Sequence, residues 1–146
     1  MKKISLIIIF AIWILTIWCT QKEMNNEDTQ KLENFSNLNA KEFKKLRESW
    51  EYEVIDIRSP WELEQSWHIP GAKNIEYYAS NFNENLENLE KDKKYLIYCN
   101  SWNRTADTMN TMKKMWFKEV HHLDGGVIAW LQWNNKIEKC LDSWIC

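Results

Sequence analysis

The apolar positions along this chain change period several times, and each change marks an element. Behind Asn39, Phe43 and Leu46 recur at helical spacing and Glu42 stands three residues after the asparagine, so NAKEFKKLRES predicts a capped helix. EVIDI, Glu53 to Ile57, is a short apolar run of strand length. HIPGAKNIEY turns at Pro70-Gly71 into a second short strand near Asn74–Tyr77. NENLENLEKD carries Leu86 and Leu89 at helical spacing, and KYLIYC, Lys94 to Cys99, is the most apolar run, which predicts the central strand. In NRTADTMNTMKKMW the stripe Ala106, Met109, Met112 and Met115 predicts a helix with a core-facing side. EVHHL is a fourth strand, Gly125-Gly126 a turn, and VIAWLQW a last helix. Strands and helices alternating at this rhythm predict an α/β fold with a central, mainly parallel sheet flanked by helices on both faces.

The first 38 residues follow none of these periods. MKKISLIIIFAIWILTIWC places two lysines before an apolar run from Ile4 to Trp18, short for a spanning helix of about 20 residues but suited to the hydrophobic region of an export signal. It ends at Cys19, which resembles a bacterial lipoprotein signal whose cysteine is lipidated; the other reading is an uncleaved membrane anchor. The expected organisation is a signal over residues 1–19, a polar linker over 20–37, one domain over 38–140 and a tail over 141–146. The domain is then exported and membrane-tethered through its N-terminus, facing the periplasm or cell exterior of a bacterium.

Composition changes the picture at two points. With 19 basic and 21 acidic residues and a net charge of −2, the chain carries no nucleic-acid footprint. Beyond Cys19 it has Cys99, Cys140 and Cys146. An odd count in an oxidising compartment suggests one reactive thiol, with Cys140 and Cys146 either paired with each other or both free.

Cys99 falls where an open α/β sheet places its ligands, beyond the carboxyl end of a central strand. The loop Asn100, Ser101, Trp102, Asn103 leads into a helix whose amides and dipole stabilise an anion. Arg104 adds a fixed cation able to fork onto an oxyanion. Cysteine, four residues, then arginine is a coherent apparatus for a thiolate attacking an anionic substrate. The competing reading is a buried structural cysteine beside a surface arginine.

Three segments in order, DIRSPWELEQSWHIPGAKNI (Asp56–Ile75), YCNSWNRTADTMNTM (Tyr98–Met112) and VHHLDGGVIAW (Val120–Trp130), resemble the signature segments of rhodanese-type sulfurtransferase domains. The resemblance runs from about Asn39 to Glu138. It implies that Cys99 carries a sulfane sulfur as a persulfide, that residues 99–104 form the loop supporting it, and that Arg104 closes that loop. It implies a small sulfur donor, a thiol or other nucleophilic acceptor, and no cofactor. Asp56 and Arg58 match a D-x-R element that supports the loop and substrate access, or else forms a structural ion pair. His68 is read as structural, and His121 and His122 come without further ligands, so no metal site is expected. The related phosphatase branch needs a larger loop, and four residues between Cys99 and Arg104 favour sulfur. A non-catalytic binding module, or a thiol redox partner using the tail cysteines, are the alternatives.

The tryptophans are anomalous. There are 10 of them against 3 glycines. Trp67 and Trp102 stand where the family pattern has glycine, Trp116 where a helix C-terminal glycine belongs, and Trp18 where a small residue precedes the lipidation cysteine. Trp50, Trp61 and Trp133 fall at turns or helix edges, whereas Trp130 matches a family tryptophan. A single cause accounts for the set: UGA codons decoded as glycine in the source cell but translated here as tryptophan. Exchanging the nine tryptophans other than Trp130 would raise glycine from 3 to 12 residues, close to a usual share of about 7%.

Overall fold

The computed structural model describes residues 34–65, 67–133 and 135–139. Residues 1–33, on which the expected signal with Cys19 and most of the expected linker fall, and the tail cysteines Cys140 and Cys146 lie outside them. Five strands form one parallel sheet: β1 (Phe35–Leu38), β2 (Tyr52–Asp56), β4 (Lys73–Asn74), β5 (Lys94–Tyr98) and β6 (Glu119–Leu123), in the order β1-β6-β5-β2-β4. A separate antiparallel pair joins β3 (Trp67–His68) to β7 (Glu138–Lys139). The run read as central, β5, is central: Val54 registers with Leu96 on one side and Leu96 with His121 on the other.

Alternation along β5 sorts the core into two layers. Leu96 and Tyr98 face α1 (Ala40–Glu48) and α5 (Gly126–Gln132), packing with Phe43, Val127 and Trp130. Tyr95, Ile97 and Cys99 face the other way, into a cluster with Leu86 of α3 (Phe82–Glu87) and Met112 of α4 (Asn103–Lys114). Helices therefore cover both faces. Phe43 stacks edge-on against both Tyr98 and Trp130, with centroids 6.5 and 5.9 Å apart. The α1 cap is the one the sequence implied: Asn39 Oδ1 accepts from the amides of Lys41 and Glu42, and the Glu42 carboxylate accepts from the Asn39 amide.

Five elements depart from expectation, the unheralded pair β3 and β7 among them. β1 begins at Phe35, inside the stretch read as linker to residue 37, because Phe35 to Leu38 pair in register with Val120 to Leu123. The second strand is Lys73–Asn74 rather than Asn74–Tyr77. And α2 (Pro60–Gln65) was not anticipated. Ser59, Pro60 and Glu62 build its first turn: Pro60 sits at the first helical position, and the Ser59 amide and hydroxyl both donate to Glu62 Oε2 at 3.1 Å.

The tryptophans divide sharply. Trp130 is 1% exposed, while Trp50, Trp61, Trp67, Trp102, Trp116 and Trp133 are all on the surface. Among the described residues, Trp50 (φ 61°) and Trp116 (φ 67°) are the two non-glycine residues with left-handed backbone. Each follows a helix C-terminus. At the end of α4 the Trp116 amide donates to the Lys113 carbonyl and the Phe117 amide to that of Met112, both at 3.2 Å, the bond pattern that ordinarily places glycine at this position. Trp102 differs: its φ is −143°, outside the left-handed region that calls for glycine.

Candidate active site

β5 ends at Tyr98 and α4 begins at Asn103, so Cys99 to Trp102 are the loop between the sheet centre and a helix N-terminus. Cys99 is fully buried and a free thiol. Asn100, Ser101, Trp102 and Asn103 are exposed, and Arg104 is half-buried.

The loop lies on the turn before α5. The Val127 amide donates to the Cys99 carbonyl at 2.9 Å. Gly126 has φ +60°, and a Cβ there would fall on the carbonyl oxygens of Ser101 and Cys99 and within 2.6 Å of the Asn100 carbonyl carbon. Glycine is thus required twice at this position, by conformation and by the backbone seated on it.

A second tie runs beneath the loop. The Thr105 hydroxyl lies 2.7 Å from the Trp102 carbonyl and 3.0 Å from His122 Nδ1, and shares its one proton between these two acceptors. Nε2 faces the acceptor Asn37 Oδ1 on β1 and carries the ring proton, which leaves Nδ1 to accept from the Thr105 hydroxyl. Burial holds the His122 pKa below its ordinary value, which keeps the ring neutral and this polarity fixed. The histidine set aside in the sequence therefore connects the edge strand to the loop.

Arg104 does not reach into open solvent. Its two terminal nitrogens fork onto Glu62, Nη1 to Oε2 and Nη2 to Oε1, both at 2.6 Å. Hydrogen bonds from Arg104 pull the Glu62 carboxyl down to about 2, and Glu62 holds Arg104 further above its already high value. The Arg104 guanidinium also lies 5.7 Å from the Tyr78 ring centre. These groups wall a cavity of about 450 Å³ together with Ser59, Trp61, Ser101 and Asn103. Glu62 was not among the residues singled out; its signal was the Ser-Pro-x-Glu capping pattern, which places its carboxylate at the amino end of a helix.

Asp56 and Arg58 form a buried ion pair, Oδ2 to Nη2 2.6 Å, with Arg58 also donating to the Trp67 carbonyl at 3.0 Å. The Tyr98 hydroxyl accepts from the Ile69 amide at 3.0 Å and also bonds Asp56. The pair thus braces the strand end before Cys99 and the crossover at Trp67–Ile69, and neither residue lines the cavity. Their link to the loop runs through Tyr98. His68 is buried in β3. No cluster of potential metal ligands occurs among the described residues.

A parallel sheet covered on both faces, with a buried cysteine in a short loop beyond its central strand, defines the class. The chain belongs to the rhodanese-like domain family, which matches residues 39–132. It is 35% identical over 79 residues to the probable adenylyltransferase/sulfurtransferase MoeZ of Mycobacterium tuberculosis, covering 53% of this chain and 19% of that protein. It is 31% identical over 86 residues to the putative sulfurtransferase YtwF of Bacillus subtilis, covering 59% of this chain and 80% of that one. The crystal structure of a rhodanese-related protein from Thermoplasma volcanium matches with a TM-score of 0.64 at 26% identity, over 72% of this chain and 99% of that one.

Proposed function

We propose that this protein is a sulfurtransferase that carries sulfane sulfur on Cys99. The observation that carries this is the free, buried Cys99 just beyond β5, with its loop backbone seated on Gly126 and Arg104 five residues on in the first turn of α4. The sulfurtransferase names of MoeZ and YtwF support the same chemistry. In the first half-reaction the Cys99 thiolate attacks the sulfane sulfur of a donor. The donor S–S bond breaks, its leaving group departs with the electron pair, and a Cys99 persulfide remains. A thiol or another nucleophile then takes the outer sulfur and restores the thiolate. Residues 100–104 supply amides around the persulfide. Double-displacement kinetics with thiosulfate or a persulfide as donor, abolished in Cys99→Ala, test this; single-displacement kinetics, or full activity in the variant, would contradict it.

The surface tryptophans bear on the same loop. The two left-handed residues, Trp50 and Trp116, support decoding of these positions as glycine, since tryptophan there costs about 1–2 kcal/mol each. Glycine at position 102 would leave the loop unobstructed, whereas a genuine Trp102 favours the non-catalytic binding module. Codons reading UGG at positions 50, 67, 102 and 116 would exclude the decoding idea. The N-terminal signal supports export and lipid attachment at Cys19. Metabolic labelling with a fatty acid, lost in Cys19→Ser, is the expected result; a cytosolic, unlabelled chain would contradict it.

A further inference from the structure

The fork between Arg104 and Glu62 has a consequence for which donors the cavity admits. Arg104 is the cation among the residues lining it, and Glu62 is the anion. They meet through two bonds of 2.6 Å, and both Ser59 donors hold the same carboxylate in place. With its carboxyl held at about 2, Glu62 remains charged throughout the physiological range. The described groups nearby add no compensating cation: Tyr77 donates to Asp107 at 2.8 Å on the exposed side of α4, and Arg58 is neutralised by Asp56 inside the fold. Two opposite charges this close present little net field to an incoming ion.

We propose that Glu62 is a specificity-determining residue that makes this cavity electroneutral and selects the persulfide of a small thiol, carrying at most one net negative charge, over the dianion thiosulfate. The inference rests on the sulfur-transfer function proposed above. In the step it specifies, Cys99 thiolate attacks the outer sulfur of R–S–SH. The bond between the two donor sulfurs breaks, R–S⁻ leaves with the electron pair, and Cys99 retains the outer sulfur with its proton. Thiosulfate would undergo the same displacement, releasing sulfite, but would have to approach the Glu62 carboxylate with two negative charges and no free cation to meet them.

The test compares loading of Cys99 by cysteine persulfide and by thiosulfate, using the full chain expressed in its own cells. Loading is followed by mass at varied donor concentration, so that kcat/KM is obtained for each donor. In the unaltered protein cysteine persulfide is favoured by about tenfold or more, and Glu62→Gln, which frees Arg104, moves the ratio toward thiosulfate by about tenfold or more. A purely structural Glu62 would lower both rates together and leave the ratio where it was, which would overturn the proposal. A second measurement needs no variant. Loading by thiosulfate in the unaltered protein changes less than about twofold as ionic strength rises from about 0.02 to 0.2 M; a steep fall would reveal a positive cavity and overturn the proposal. If thiosulfate is preferred, the proposal fails and sulfur transfer stands. If neither donor loads Cys99, sulfur transfer itself fails, and the proposal with it.

Discussion

Gly126 and Trp116 show opposite uses of the same left-handed backbone. At Gly126 the missing Cβ is what lets the Cys99–Ser101 peptides lie against the turn. Gly126→Ala must therefore shift the loop, and a loss of about 1–3 kcal/mol in denaturant unfolding is expected together with slower sulfur loading. Unchanged loading would show that the loop does not depend on this contact. At Trp116 the side chain is 87% exposed and contributes little burial, while its φ of 67° suits glycine. Trp116→Gly is expected to stabilise the chain by about 1 kcal/mol, read as a raised denaturation midpoint. A lowered midpoint would mean that the ring makes contacts worth more than the relieved strain.

At the scale of elements, α4 is positioned from both ends. Its C-terminus closes on Phe117 and Met112, both in the core, and its first turn is held by Thr105 between the Trp102 carbonyl and His122. Thr105→Val keeps the volume but leaves His122 Nδ1 and the Trp102 carbonyl without this partner. A cost of about 1–3 kcal/mol is expected, with recovery in Thr105→Ser. Equal stability of the valine and serine variants would contradict the tie. Much of this layer was legible in the sequence. β2, β5 and β6 came from compact apolar runs, α4 from its stripe, and α1 from its capping pair. β1 was missed because Phe35-Ser-Asn-Leu38 is half polar and gains its identity from pairing with β6. α2 was missed because six residues with only Leu63 buried carry no period. The same cause hid Glu62. Cysteine and arginine were linked by spacing, but their carboxylate partner lies 42 residues from Arg104 and only the fold joins them.

For the whole molecule, buried titratable groups set how stability responds to acid. His121 bonds the Ser36 hydroxyl at 2.8 Å and Glu119 at 3.2 Å, with Tyr52 also on Glu119 and Lys94 nearby; burial holds its pKa below the ordinary 6.5. His122, between Thr105 and Asn37 with Asp124 near, is held down in the same way. Because both stay neutral when folded and take protons more readily when unfolded, stability is full above about pH 6.5 and falls as pH drops below it. A second loss begins below about 4.5, where Glu62, held at about 2 by Arg104, protonates first in the unfolded chain. Denaturant midpoints between about pH 3 and 8 should trace both declines. A midpoint that stays flat down to pH 5 would contradict the buried, neutral histidines.

Sulfur on Cys99 is the claim from which the others gain their meaning, and one peptide tests it. Protein from its own cells would be loaded with cysteine persulfide or thiosulfate, digested with trypsin under non-reducing conditions, and the fragment Tyr95–Arg104 weighed. The expected result is a gain of one sulfur atom localised to Cys99, lost again on addition of a thiol, in a fragment whose mass places glycine at position 102. A fragment that carries tryptophan at 102 and takes up no sulfur from either donor would contradict sulfur transfer and leave a rhodanese-like domain that binds without catalysing.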